Sequence, residues 1–81
     1  MKIHLKLFSA AKDLAGFSEE TVVLSHQASA DAVLDYLTER NSRFAAWRKS
    51  LRVAVNQQYV ENTHSLNDGD EVAVIPPVSG G

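Results

Sequence analysis

The sequence predicts an α+β domain in which one main helix packs on one mixed sheet, and three patterns predict it. Near the N-terminus Ile3, Leu5 and Leu7 alternate with His4, Lys6 and Phe8, the period-two signature of a half-buried strand. Further on, Ala30, Val33, Leu34 and Leu37 follow helical spacing, which puts one apolar stripe on one helix. After the helix, Leu51, Val53 and Val55, and then Val72 and Val74, alternate again. A layer of helix on sheet buries the apolar side of each.

The first strand runs over Met1 to Phe8. Ala10 to Ala15 is a short helix-compatible stretch that Gly16 ends, and it reads as a connector. Glu20 to Leu24 is rich in β-branched residues and reads as a second strand, antiparallel to the first. Ser29 stands where a helix N-cap belongs and Asp31 falls in the first turn, where negative charge is favourable. The helix ends near Asn41. Phe44, Ala45 and Trp47 form a further helical turn that closes one end of the core, with Trp47 a packing residue. A third strand covers Leu51 to Val55, Asn56-Gln57-Gln58 turns the chain, and Tyr59-Val60 is a short fourth strand. Asn67-Asp68-Gly69-Asp70 is a turn in which glycine supplies the positive φ required. In the last strand, Glu71 to Ile75, Val72 and Val74 face the core while Ala73 and Ile75 face away. Pro76 and Pro77 lack amide hydrogens and stop the ladder. The expected organisation is therefore a single domain, residues 1–75 as the body and 76–81 as a tail.

Length and composition narrow the function. A chain of 81 residues has room for one core, since a domain this small buries only about 60% of its unfolded surface. Cysteine is absent, which removes disulfides, thiolate catalysis and cysteine metal sites. No segment approaches the roughly 20 apolar residues of a membrane span, so the expected location is the cytoplasm. The net charge of −2 gives no general attraction to nucleic acid. Arg40, Arg43, Arg48, Lys49 and Arg52 crowd the middle of the chain, and Glu61, Asp68, Asp70 and Glu71 follow with no later Lys or Arg. Such polarity suits docking to charged partners, and equally describes two solvated faces. His4, His26 and His64 are far apart, and no phosphate loop, nucleophile elbow or paired-histidine motif is present. No metal is expected.

The C-terminus carries the chemistry. Pro76-Pro77-Val78-Ser79-Gly80-Gly81 is a stiff stem with a tip that lacks side chains. At about 3.3–3.6 Å per extended residue it would carry its carboxylate roughly 20 Å into a partner's cleft. Gly80 and Gly81 fit a narrow channel and allow close approach of a partner's backbone.

Val55-Asn56-Gln57, the run Leu66-Asn67-Asp68-Gly69-Asp70-Glu71-Val72-Ala73 and the tail Pro76-Pro77-Val78-Ser79-Gly80-Gly81 resemble the small subunit of molybdopterin synthase, the MoaD family. Leu7-Phe8-Ser9-Ala10-Ala11-Lys12-Asp13-Leu14-Ala15-Gly16 resembles that family's opening strand and loop, so the resemblance spans essentially the whole chain. Lys12-Asp13 stands where the family more often has Arg-Glu, and Lys lacks the bidentate geometry of Arg. Ile75 stands where an aromatic residue is frequent.

The resemblance implies a ubiquitin-like β-grasp fold and a sulfur carrier for molybdenum cofactor biosynthesis. It implies that an E1-like, MoeB-like enzyme uses ATP and Mg to adenylate the Gly81 carboxylate, and that a sulfur donor such as a persulfide then yields a thiocarboxylate. A MoaE-like large subunit, together with this chain a heterotetramer, would receive the tail and hold the active site in which cyclic pyranopterin monophosphate gains sulfur. The chain itself would bind no cofactor. Phe8 and Ile75 are expected on the sheet face away from the helix as an apolar docking patch, with core packing the alternative for Phe8. Pro76, Pro77, Val78, Ser79 and Gly80 complete the expected partner contact. A sulfur carrier for thiamin or for tRNA thiolation, a ubiquitin-like modifier joined to lysines through Gly81, and an interaction domain with an inert tail are the competing readings.

Overall fold

The computed structural model describes residues 1–76. The chain forms β1 (Lys2–Leu7), α1 (Ser9–Ala15), β2 (Glu19–Val23), α2 (Ala30–Arg40), α3 (Phe44–Trp47), a 3-10 turn at Arg48–Ser50, β3 (Arg52–Val55), β4 (Gln58–Val60) and β5 (Glu71–Ile75). The strands make one sheet in the order β2-β1-β5-β3-β4. The β1–β5 pair is parallel and the other pairs are antiparallel, so the sheet is mixed, as expected. Strand boundaries differ from the sequence reading by a residue at most, β2 starting at Glu19 and β4 at Gln58.

Alternation decides which side of the sheet is buried. Ile3, Leu5 and Leu7 from β1, Val22 from β2, Val53 and Val55 from β3, and Val72 and Val74 from β5 all enter one core. From the other layer, α2 contributes Ala30, Val33, Leu34 and Leu37, none more than 1% exposed. Phe44 closes the end of the core and is fully buried; its ring meets that of Trp47 edge to face, centroids 5.9 Å apart. Such a pair adds roughly 0.5–1.5 kcal/mol beyond its burial.

Two local readings are corrected. The stretch after β1 is more than a connector, because Ala11 is fully buried and Leu14 and Ala15 pack on the core. These residues share one helical face by their spacing, and Gly16, at φ 85° with its N–H bonded to Lys12 O at 3.0 Å, caps the helix so that this face turns inward. Ser29 does occupy the N-cap of α2, in extended conformation, but its side chain makes no capping hydrogen bond. The amides of Ala30 and Asp31 instead donate to the carbonyls of His64 and Asn62, both at 2.9 Å. Backbone from the β4–β5 crossover thus satisfies helix donors that a cap side chain would otherwise take.

The turns behave as their residues demand. Asn56 and Gln57 both have positive φ, 50° and 73°, between the paired Val55 and Gln58, as a two-residue hairpin turn requires. Gly69 has φ 85°. Around it Asp70, only 8% exposed, accepts hydrogen bonds from the Asn67 N–H at 2.8 Å and the Asn56 side-chain amide at 3.1 Å. The Asn56 side-chain oxygen Oδ1 in turn accepts from the Glu71 N–H at 3.0 Å. This latch ties the hairpin to the head of β5. Asp70→Ala strands the Asn67 N–H and the Asn56 amide, and should cost about 1–3 kcal/mol, seen as a lower urea midpoint with an unchanged slope.

Candidate functional site

Because α2 covers one side of the sheet, the other side is left to solvent, and the pairing register sets what it displays. Outward positions of β1 and β5 lie abreast, His4 with Glu71 and Lys6 with Ala73. Beyond Leu7↔Val74 the same register brings Phe8 level with Ile75, which pairs across β3 with Arg52. Phe8 is not in the strand. It is the extended N-cap residue of α1 and is 46% exposed, which rules out core packing for its ring. Ile75 is half-buried. Lys6, Phe8, Gln57, Glu71 and Ala73 line one shallow depression on this face.

The patch continues across the sheet. Ala54 lies between Ala73 and Tyr59 in the ladder, and Tyr59, 63% exposed, carries the Arg52 guanidinium 5.4 Å from its ring centroid. Sequence reasoning placed Tyr59 in a strand without assigning its face. Period two from the inward Val60 would have turned it outward. Charges frame the apolar strip: Lys6 is ion-paired with Glu71, and His4 Nε2 lies 2.8 Å from Glu19 Oε1. The hydrogen bond to Glu71 raises the Lys6 pKa above the ordinary lysine value, and the hydrogen bond to His4 lowers that of Glu19. Both pairs lie at the surface, so they tune the rim of the patch and add little to stability.

The second part of the site is the stem. Pro76 is buried, so the folded body runs one residue past Ile75. Pro77, Val78, Ser79, Gly80 and Gly81 lie outside the described residues. The crowded basic segment is largely engaged within the molecule. Arg40 meets Glu20 at 3.1 Å and covers the Phe17 ring at 4.5 Å, and Arg48 bridges Asp31 at 2.9 Å and Asp35 at 2.6 Å. Among the described residues no cluster of His, Asp or Glu is arranged to hold a metal ion, no buried side-chain polar atom lacks a hydrogen-bond partner, and no helix is long and apolar enough to cross a membrane.

Comparison with known proteins fits this geometry. The ThiS family pattern matches residues 5–81. The chain belongs to the ThiS family. A relative from Chlamydomonas reinhardtii, the molybdopterin synthase sulfur carrier subunit, is 35% identical over the full length of both chains. The chain is also similar to solved structures. A putative molybdopterin converting factor subunit 1 from Pyrococcus furiosus superposes with a TM-score of 0.84 at 30% identity, covering 96% of this chain and 99% of that one. SAMP1 from Haloferax volcanii, a small archaeal modifier protein, superposes with a TM-score of 0.83 at 26% identity and full coverage of both chains. The β-grasp fold and the resemblance to the small subunit of molybdopterin synthase are thereby borne out for this ThiS-family chain.

Proposed function

We propose that this chain is the sulfur carrier subunit of molybdopterin synthase, and that its working group is the carboxylate of Gly81. The observation that carries the reading is the parallel register of β1 on β5, which ends at Leu7↔Val74 with the exposed Phe8 and the half-buried Ile75 as the next residues, where β5 passes into Pro76. A partner that covers this patch receives the residues that follow Pro76 directly alongside it. The names of the relatives that match along the whole chain support the same reading.

A carboxylate is a poor electrophile, so activation precedes sulfur loading. The Gly81 carboxylate oxygen attacks the α-phosphorus of ATP on an E1-like, MoeB-like enzyme with Mg, and pyrophosphate leaves. The terminal sulfur of a persulfide donor then attacks the carbonyl of the acyl-adenylate and AMP leaves. A thiol cleaves the resulting acyl disulfide, which leaves the thiocarboxylate. Inside a MoaE-like large subunit that sulfur is the nucleophile toward cyclic pyranopterin monophosphate, and the large subunit supplies the active site. The part played by this chain is to dock, to present and to position.

With the cognate activating enzyme, ATP, Mg and a sulfur source, the intact mass should rise by the difference between sulfur and oxygen. An unchanged mass under conditions in which that enzyme loads a known carrier would refute the proposal. The likeness to SAMP1 favours one second reading, a protein modifier attached through Gly81. Recovery of Gly81 in an isopeptide bond to lysine would establish that reading instead.

A further inference from the structure

The two strands that flank β5 determine what surrounds its end. The antiparallel pairing Arg52↔Ile75 brings the residues just before β3, the 3-10 turn Arg48–Ser50, to the side of Pro76. The parallel pairing Leu7↔Val74 brings the start of α1 to the other side. Pro76 is buried between them and lines a cleft of about 140 Å³ with Ala10, Ala46, Trp47 and Ser50. Small side chains at Ala10, Ala46 and Ser50 leave one large group in that cleft, Trp47. Its indole is only partly buried against the core, whereas Phe44, on the same short helix, is fully buried and meets it edge to face.

From this arrangement we propose that Trp47 is a positioning residue for the C-terminal tail: with Pro76 it forms a seat that fixes where the last residues start and in which direction they leave the body. Phe44 anchors α3 in the core, and one helical turn on the partly buried Trp47 shares the cleft with the proline. Proline suits the seat because its fixed φ restricts the exit and it offers no N–H to carry the strand pairing further. Trp47 needs no contact with any reacting atom, since a displacement of the stem is carried out to the reactive carbonyl. Misplacement by about 1 Å at a reacting centre costs on the order of 10²-fold in rate.

The proposal rests on the sulfur-carrier reading, and its test has two arms so that the two can fail separately. In the first, the free protein is used. Trp47 is the only tryptophan, so its fluorescence reports on the seat, and Pro76→Gly should shift its emission maximum while the circular dichroism stays native. In the second, thiocarboxylated carriers are compared in sulfur delivery to the large subunit. Trp47→Ala should lower kcat about tenfold with affinity for the large subunit within a factor of two, and Trp47→Phe should recover most of the rate. An emission spectrum indifferent to Pro76→Gly, a wild-type kcat in Trp47→Ala, or a loss that resides entirely in affinity would each overturn the seat. Should wild type accept no sulfur at all, the carrier reading fails, and the fluorescence arm still decides whether the seat exists.

Discussion

Deletion of Gly81 should abolish sulfur transfer while leaving the fold and docking nearly intact. Among the described residues every member of the core cluster lies between Ile3 and Val74, and thermal unfolding should match that of the full chain. Gly80 then becomes the terminal residue. It can be adenylated only if the activating site accepts a carbonyl about 3.5 Å short of its normal place, a displacement well beyond the ~1 Å that already costs on the order of 10²-fold. An extension past Gly81 should be as damaging, because it replaces the free carboxylate with an amide. Gly81→Ala should be milder, since register is kept and only a methyl is added beside the reacting carbonyl. Unfolding, affinity for the large subunit and dithiolene formation should be measured on the same protein. Normal sulfur delivery by the truncated chain, or its unfolding, would show that the tail is not the working part.

Phe8→Glu and Ile75→Glu should each weaken binding to the large subunit by about 30- to 10³-fold. An apolar group at the centre of an interface contributes about 2–4 kcal/mol when it is an anchor, and each 1.4 kcal/mol is tenfold in affinity. A carboxylate buried there without a partner adds its desolvation cost. The two variants should differ in the free protein. Phe8 is 46% exposed, and its replacement should change stability by no more than about 0.5 kcal/mol. Ile75 is half-buried and paired with Arg52, so its replacement should cost about 1 kcal/mol. The more distant Val23, exposed on an edge strand, serves as a control whose change to Glu should leave affinity untouched. Native-like circular dichroism with unaltered affinity at both Phe8 and Ile75 would place the docking patch elsewhere.

Much of the fold was legible because its determinants are periodic. Ile3, Leu5 and Leu7 betray their strand within five residues, and Val33, Leu34 and Leu37 betray their helix within five. Turns at Asn56-Gln57 and Gly69 were legible because their φ values restrict the residues allowed. What was not legible depends on residues distant in sequence. Ser29 marks the right position for a helix start, yet the donors are satisfied from Asn62 and His64, which no local pattern signals. Pro76 reads as the first residue of a tail, and only the meeting of Ala10, Trp47 and Ser50 around it buries it. The basic segment likewise reads as a charged surface until folding brings Glu20, Asp31 and Asp35 to Arg40 and Arg48. At the candidate site the same division holds. Phe8 and Ile75 are found by alternation once β1 and β5 are known to be neighbours, and that adjacency came from the family resemblance rather than from periodicity.

The place of β5 has a consequence for how the molecule comes into being. The strand last in sequence is the middle of the sheet, with β1 on one side and β3 on the other, and its partners lie about twenty and almost seventy positions upstream in the ladder. Contacts so remote slow folding, because the loop must be closed before it is rewarded. During synthesis the segment up to Asp70 carries β1 and β3 without the strand that joins them, and each presents an open edge. The sheet therefore closes only after Val72 and Val74 have emerged, and a chain broken off before them has no outer face to offer. Topology makes β5 a condition of folding, so any molecule competent to dock already carries the strand from which the tail departs.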